Sequence, residues 1–229
     1  MGVGLEREGR RWIKLRQADR LDRDEDFNLA PSFRLDVAFS PAVWDAENAT
    51  RVRFAGAVGA LVPGGFARVT STFSTRLRSG FENAVVNVDA RVYHVRPNVT
   101  FVGRLGAVLG YRLDAERQVE LDGATGLRGY RLHAASGTKR VVANLEARFF
   151  FLSDILKLFS LGGVAFADEG FLKGPPDDEH FTDVGLGLRI GLARASTSTV
   201  IRMDLARALR PDPQGRKGWL LSFSSGQAF

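Results

Sequence analysis

The sequence predicts an all-β fold, an antiparallel transmembrane β-barrel of about eleven strands. Residues 184–192 read V-G-L-G-L-R-I-G-L, so apolar side chains alternate with glycine and one arginine. Because successive side chains of a strand point to opposite faces, one face of this segment is apolar and the other is small or polar. The alternation recurs in segments of about ten residues or longer, whereas strands of soluble proteins average about five to six. An apolar face toward lipid and a polar face toward a lumen is typical of a membrane barrel.

The predicted strands follow one another along the whole chain. Strong alternation covers residues 33–39, 51–62, 86–93, 98–112, 139–151, 184–192, 201–205 and 219–226, and weaker alternation covers roughly 5–20, 66–78 and 161–168. Arginines fall one or two to a strand on the polar face, and acidic residues such as Asp36, Asp89 and Asp204 share that face. We therefore expect a lumen lined by paired charges.

The connections predict two different rims. Short links at 63–65, 96–97 and 195–198 alternate with long ones, of which 113–137 is the longest. Short turns on one rim and long loops on the other are typical of outer-membrane barrels. One link departs from this rule: residues 153–159 read as a short amphipathic helical turn capped by Ser153 or Asp154. It lies either at the membrane interface or as a cap over the barrel end.

Composition narrows the function classes. The chain has 229 residues, a net charge of +6 and no cysteine, which excludes disulfides and cysteine-based sites. No linker divides it, so we expect a single domain over residues 1–229. Three dispersed histidines and the absence of a G-x-S-x-G motif predict no metal, no cofactor and no enzyme. Because the arginines are spread over many strands, nucleic acid is not an expected partner.

A polar motif interrupts the longest loop. Residues 126–130 read G-L-R-G-Y, the next strand carries Glu146, and the strand after it reads G-V-A-F-A-D-E-G over residues 163–170. A guanidinium is always charged and offers five donors in a rigid fork, so Arg128 suits two carboxylates in a narrow lumen. Gly129 allows a close backbone approach, and Tyr130 offers an apolar ring with a polar end.

These residues resemble the Omp85 family, also called the surface antigen D15 family, of outer-membrane assembly and translocation barrels. The resemblance covers the whole chain and is strongest over 121–229. It implies that the loop tip folds into the lumen and that acidic residues of the next two strands hold it there. The matching positions are Leu127, Arg128, Gly129 and Tyr130 at the tip, Glu146 and Asp168 as the acids, Gly163, Phe166 and Gly170 in the strand motif, and Phe229 as the C-terminal insertion signal.

The resemblance implies a place in the bacterial outer membrane. Its partners would be outer-membrane lipids, the barrel-assembly machinery and a nascent or secreted protein. Family barrels have sixteen strands, so we expect about eleven strands here to represent the C-terminal part of an incomplete barrel. Residues 1–5 lack the pattern of a signal peptide, which also predicts a longer protein. The alternative functions are a passive pore and a membrane anchor for an upstream patatin-like lipase domain.

Overall fold

The residues that the structure describes form strands and one short 3-10 turn. The computed structural model describes residues 1–21, 23–42, 48–155, 158–174, 177–192 and 200–228, with the backbone alone at 153 and 154. The strands are β1 Gly2–Glu8, β2 Trp12–Arg16, β3 Asp24–Asn28, β4 Ser32–Ser40, β5 Ala49–Val62, β6 Gly65–Leu77, β7 Phe81–Arg96, β8 Val99–Tyr111, β9 Val119–Leu121, β10 Ala135–Gly137, β11 Lys139–Ile155, β12 Phe159–Lys173, β13 Glu179–Leu192, β14 Val200–Ala208 and β15 Trp219–Ser225. Within these ranges, no helix is long and apolar enough to cross a membrane.

One antiparallel sheet contains eleven of the strands. Its order is β1-β4-β5-β6-β7-β8-β11-β12-β13-β14-β15, and two small hairpins, β2–β3 and β9–β10, stand apart from it. This confirms the all-β class and the eleven-stranded antiparallel sheet. Because strand direction alternates along an odd number of strands, the edge strands β1 and β15 run in the same direction. No ladder joins them among the residues described.

The two faces of the sheet have opposite character. The outer face is apolar and exposed, with large side chains such as Phe101, Leu145 and Leu186 open to the surroundings. The inner face buries polar side chains, among them Asn144, Glu146, Arg148, Asp168, Asp183, Arg189 and Asp204. This arrangement follows directly from the period-two alternation, because every residue of one parity faces inward. It is the reverse of the arrangement in a water-soluble sheet, which packs its apolar face on a core.

Two insertions between strands of the large sheet, the β2–β3 hairpin and the 112–138 loop, cover its inner face, one from each end. The β2–β3 hairpin enters from the end where β5 joins β6 and β7 joins β8 by short turns. Its apolar side chains pack against strand residues in a cluster of Ala18, Leu29, Phe66, Tyr93 and Val102. The 112–138 loop, with β9 and β10, enters from the opposite end and forms a second cluster with β11–β14. The concave face is thus filled from both rims.

Two sequence predictions about elements are wrong. The weak pattern at 5–20 predicted one strand, but β1 ends at Glu8 and β2 begins at Trp12, in a different sheet. Gly9 N–H donates to Pro31 O (3.1 Å), and this closes the neck from which the hairpin turns inward. The predicted helical turn at 153–159 is also absent from its described positions. There β11 continues through Ile155 and pairs with Phe159 of β12 after two register shifts. Residues 156 and 157 lie outside the described residues.

Candidate functional site

The tip of the 112–138 loop is positioned by a tight local turn. Asp122 precedes a 3-10 turn at Gly123–Thr125, and its Oδ1 accepts a hydrogen bond from Thr125 N (3.1 Å). Gly126 ends this turn with φ +119°, a left-handed conformation that glycine adopts without strain. Asp122 Oδ2 also accepts from His133 N (2.8 Å) on the returning arm. These contacts fold residues 127–130 back toward the sheet.

Arg128 lies between two carboxylates of neighbouring strands. Its Nε and Nη2 donate to Asp168 Oδ2 and Oδ1 at 2.8 and 2.7 Å, a two-point contact, and its Nη1 donates to Glu146. All three side chains are buried, with 3%, 4% and 1% of Arg128, Glu146 and Asp168 exposed. The guanidinium also lies 3.6 Å above the ring of Phe166. Burial works to lower the pKa of Arg128, but its bonds to Asp168 and Glu146 outweigh burial and hold that pKa above its usual range.

The amide of Asn144 extends this contact toward β7 and β8. Asn144 Nδ2 donates to Asp168 Oδ1 (2.8 Å) and to Gly126 O (2.6 Å). Its Oδ1 accepts from Arg104 Nη1 (3.2 Å), and Arg104 Nε donates to Asp89 Oδ2 (2.5 Å). A chain of charged and polar groups therefore runs across four strands of the inner face.

Arg148 connects the same site to the β2–β3 hairpin. Its Nε donates to Glu146 Oε2 (2.7 Å), while its Nη1 donates to Asp19 Oδ1 and to Ala18 O, both at 2.8 Å. Tyr93 O–H donates to the same Asp19 carboxylate (3.1 Å). The alternation of side chains along their strands had assigned Arg148 and Tyr93 to the inner face. Nothing in the sequence indicated that Asp19 would meet them, because residues 5–20 read as one strand.

The neighbours of Arg128 in the loop tip pack closely against the inner face of the sheet. Leu127 is buried beside Gly170, where a Cβ would lie 2.9 Å from its Cδ1. A Cβ on Gly129 would lie 2.6 Å from Asp183 Cβ, so only glycine fits there without a shift. Tyr130 stacks on Phe181 with ring centroids 4.5 Å apart.

The hydroxyl of Tyr130 holds the loop tip to strand β13 and to the connection between β14 and β15. It lies 3.0 Å from both Thr182 O and Arg210 O and accepts from Thr182 N (3.1 Å). Burial raises the pKa of Tyr130. The tip is therefore held by aromatic stacking and hydrogen bonds as well as by its ion pairs.

The strand motif divides between the two faces. Phe166, Asp168 and Gly170 face inward and contact the loop tip, as the sequence spacing predicted. Gly163 has the opposite parity and faces outward, where a Cβ would lie 2.9 Å from the ring of Phe151. It therefore belongs to the outer face of the sheet, unlike Phe166 and Gly170 of the same motif. Phe229 lies outside the described residues.

A second charged cluster lies on β13 and β14. Arg189 Nη1 donates to Asp204 Oδ1 (2.6 Å), and Arg202 Nε lies 3.2 Å from Asp204 Oδ2. Asp183 is buried, and neither of its carboxylate oxygens has a hydrogen-bond partner among the described residues. Strand parity was the only sequence signal for this cluster.

The chemistry of the site is that of a clamp. Glu146 and Asp168 both accept hydrogen bonds from guanidinium groups, which occupy the lone pairs that a general base would use. Among the described residues, Glu120, Asp122 and His133 form a cluster whose possible metal-ligand atoms lie within 4.8 Å of one another. Backbone N–H groups occupy both oxygens of Asp122, and His133 Nδ1 lies 2.7 Å from Glu120 Oε1. The ligand atoms of this cluster are therefore already used within the loop, by Thr125 N and by His133.

Comparison with known proteins gives no family assignment: no family model matches the chain, and no curated protein matches it.

Proposed function

We propose that this chain forms the wall of a β-barrel in the bacterial outer membrane, of the Omp85 type that inserts or exports proteins. The observation that carries the proposal is the inverted polarity of the sheet. Large apolar side chains are exposed on the outer face, while arginines and carboxylates are buried inside. In water this outer face would be costly, whereas lipid is as apolar as the side chains that meet it.

The arrangement of the connections supports the orientation of the wall. Short turns at 63–64 and 97–98 lie at one end, and the long connections 112–138 and 209–218 lie at the other. In outer-membrane barrels the short turns face the periplasm and the long loops face outward. Two connections depart from this pattern: the β2–β3 hairpin lies at the short-turn end and folds inside, and the short link 78–80 lies at the end of the long connections.

The filled inner face supports a protein-handling barrel over a passive pore. A diffusion pore needs a continuous water path along its lumen. Here the hairpin and the loop tip enter from opposite ends and meet through Glu146, Arg148 and Asp19. In addition, the edge strands β1 and β15 offer backbone groups that have no ladder partner among the described residues. Such edges pair readily with a strand of another chain.

Reconstitution tests the membrane part of the proposal. The protein, in its full natural length, is folded into phospholipid vesicles, and flotation and resistance to carbonate extraction are measured. We expect it to float with the vesicles and to resist extraction. A protein that stays in the aqueous fraction without detergent would refute the proposed membrane wall.

Site-specific cross-linking tests the protein-handling part. A photoreactive residue at Val3 in β1 or at Leu221 in β15 should cross-link to an unfolded outer-membrane protein during its insertion. The matched control is the same residue at Leu105, which is exposed on the outer face in the middle of the sheet. Equal cross-linking at all three positions, or none at the edges, would contradict it. A steady open conductance of the unmodified protein would instead favour the passive pore.

A further inference from the structure

We propose that the outer face carries a binding site for an anionic phospholipid, next to the short-turn rim. This inference rests on the proposed membrane location but adds to it a specific ligand. The site combines an apolar recess in the sheet surface with a cation at the rim. The recess lies on the outer face of β8, β11 and β12, and although Glu146 and Phe166 of the loop clamp also border it, their side chains are buried on the inner face.

The recess has a volume of about 560 Å³ and is almost wholly apolar. Small residues form its floor, because Gly103, Ala147 and Ala165 face outward on three adjacent strands. Larger side chains, Phe101 and Leu145, stand at its sides. This volume lies within the range of about 300–1,000 Å³ that is typical of small-molecule sites.

Gly103 is the position that keeps the recess open. A Cβ there would lie 3.1 Å from Val92 Cγ1 and 3.6 Å from Leu145 Cδ2, on the two neighbouring strands. A branched side chain at 103 would therefore fill the space between them. The recess suits a hydrocarbon chain, which needs apolar surface and no hydrogen-bond partners.

A positive charge lies at the rim end of the recess. His94 lines the recess, and Arg96 Nε lies 2.8 Å from His94 Nε2. His94 Nδ1 lies 3.0 Å from Pro63 O, so a proton on Nδ1 leaves Nε2 free to accept from Arg96. The ring is held over the turn at Gly64, where a Cβ would lie 2.5 Å from its Cε1. Arg96 is thus fixed in place beside the recess.

The charge of Arg96 selects the head group. Arg96 is exposed, and no carboxylate lies within ion-pair distance of it among the described residues. Its outer N–H groups are oriented donors of the kind that bind phosphate oxygens. A head group with a phosphate and no amine neutralises the charge of Arg96, whereas the ammonium of a zwitterionic head group is repelled by that charge. The ligand that places an acyl chain in the recess and a phosphate at Arg96 is an anionic phospholipid.

Fluorescence quenching by brominated lipids tests this site. Because the chain has no cysteine, a single fluorophore can be attached at Leu105→Cys, beside the recess, or at Leu205→Cys on the outer face of β14. Vesicles of phosphatidylethanolamine receive increasing fractions of brominated phosphatidylglycerol. We expect the lipid to be enriched about fivefold at the first label relative to the second, the factor that ~1 kcal/mol per basic residue near an anionic lipid gives.

Two variants and a control complete the test. Arg96→Gln should remove the enrichment, and Gly103→Val should reduce quenching at Leu105→Cys, because it fills the recess. Arg117→Gln, which removes an exposed arginine from the long loop, should change neither. Equal quenching at the two labels, or enrichment that survives Arg96→Gln, would overturn the lipid site while leaving the membrane wall intact. Failure of the protein to float with the vesicles would overturn both proposals. Binding of a second protein copy at the recess would appear as dimer formation that does not depend on the lipid, and it would overturn the lipid site alone.

Discussion

Replacing Arg128 with methionine should release the loop tip from the wall. Methionine keeps much of the side-chain length and its apolar contact with Phe166, but it removes the guanidinium bonds to Asp168 and Glu146. Glu146 keeps Arg148 at 2.7 Å. Asp168 keeps Asn144 Nδ2 (2.8 Å) and the backbone N–H of residue 128 (3.4 Å) but no cation, so most of the cost falls on this buried carboxylate. Opening of the loop then exposes this carboxylate to water and relieves the cost.

The expected magnitude follows from these contacts. Removing one partner of a buried ion pair costs about 3–5 kcal/mol. Because Glu146 remains paired, we expect the lower part of that range, about 3 kcal/mol, together with about 1 kcal/mol for the lost cation–π contact. At 1.4 kcal/mol per tenfold change, the open population of the loop should rise roughly several-hundredfold.

Amide hydrogen exchange of the reconstituted protein measures this opening. Backbone N–H groups of residues 122–130 should exchange faster in Arg128→Met, while those of β5–β7 should stay as protected as before. Arg131→Met is the matched control, since Arg131 is exposed in the same loop. The double variant Arg128→Met with Asp168→Asn should recover part of the loss, because no uncompensated charge remains. Unchanged exchange in Arg128→Met, or effects of the two substitutions that simply add, would refute the clamp.

Three further predictions concern the hairpin, the loop tip and an outer loop. Leu29→Ala should loosen the β2–β3 hairpin by about 3 kcal/mol and raise conductance in planar bilayers, and Trp12→Ala, exposed on the same hairpin, should not. Gly129→Ala should cost about 1–3 kcal/mol, seen as faster proteolysis of the loop, because its Cβ meets Asp183. Burial opposes ionisation of Asp212, but backbone N–H groups of its loop and a nearby guanidinium hold its pKa below the usual range. Its stabilising effect is present above about pH 4 and is lost as pH falls through the folded pKa, so Asp212→Asn should flatten the acid limb of unfolding curves.

The sheet could be predicted because its signal is local and periodic. Alternation with period two assigns each residue to a face without knowledge of its neighbours, and the polarity of the sheet and all of its strands except β1 follow from it. The β2–β3 hairpin could not be predicted in this way. Its alternation of Ile13 and Leu15 with charged residues resembles that of a wall strand, because it also has one apolar face, which it buries on Phe66 and Tyr93. Pattern alone cannot distinguish an apolar face that meets lipid from one that meets the inner side of the sheet.

The site was predictable where charge chemistry limits the choices. Arg128 in a loop needs acids of inward parity on nearby strands, and Glu146 and Asp168 meet that condition. Gly163 lies an odd number of positions from Phe166, so the strand alternation alone assigns it to the outer face. The contact of Arg148 with Asp19 spans 129 residues and depends on the hairpin, so no local signal contains it.

The link through Arg148 makes the two insertions depend on each other. Glu146 accepts from both Arg128 and Arg148, and Arg148 in turn donates to Asp19 of the hairpin. If the loop tip leaves, Arg148 is the only cation that still binds Glu146. The bond between Arg148 and Glu146 then strengthens, and the attraction between Arg148 and Asp19 weakens. If the hairpin leaves, Arg148 loses its second carboxylate and competes with Arg128 for Glu146. Each insertion therefore changes the electrostatic environment that holds the other, so an opening that begins at one rim lowers the cost of opening at the opposite rim.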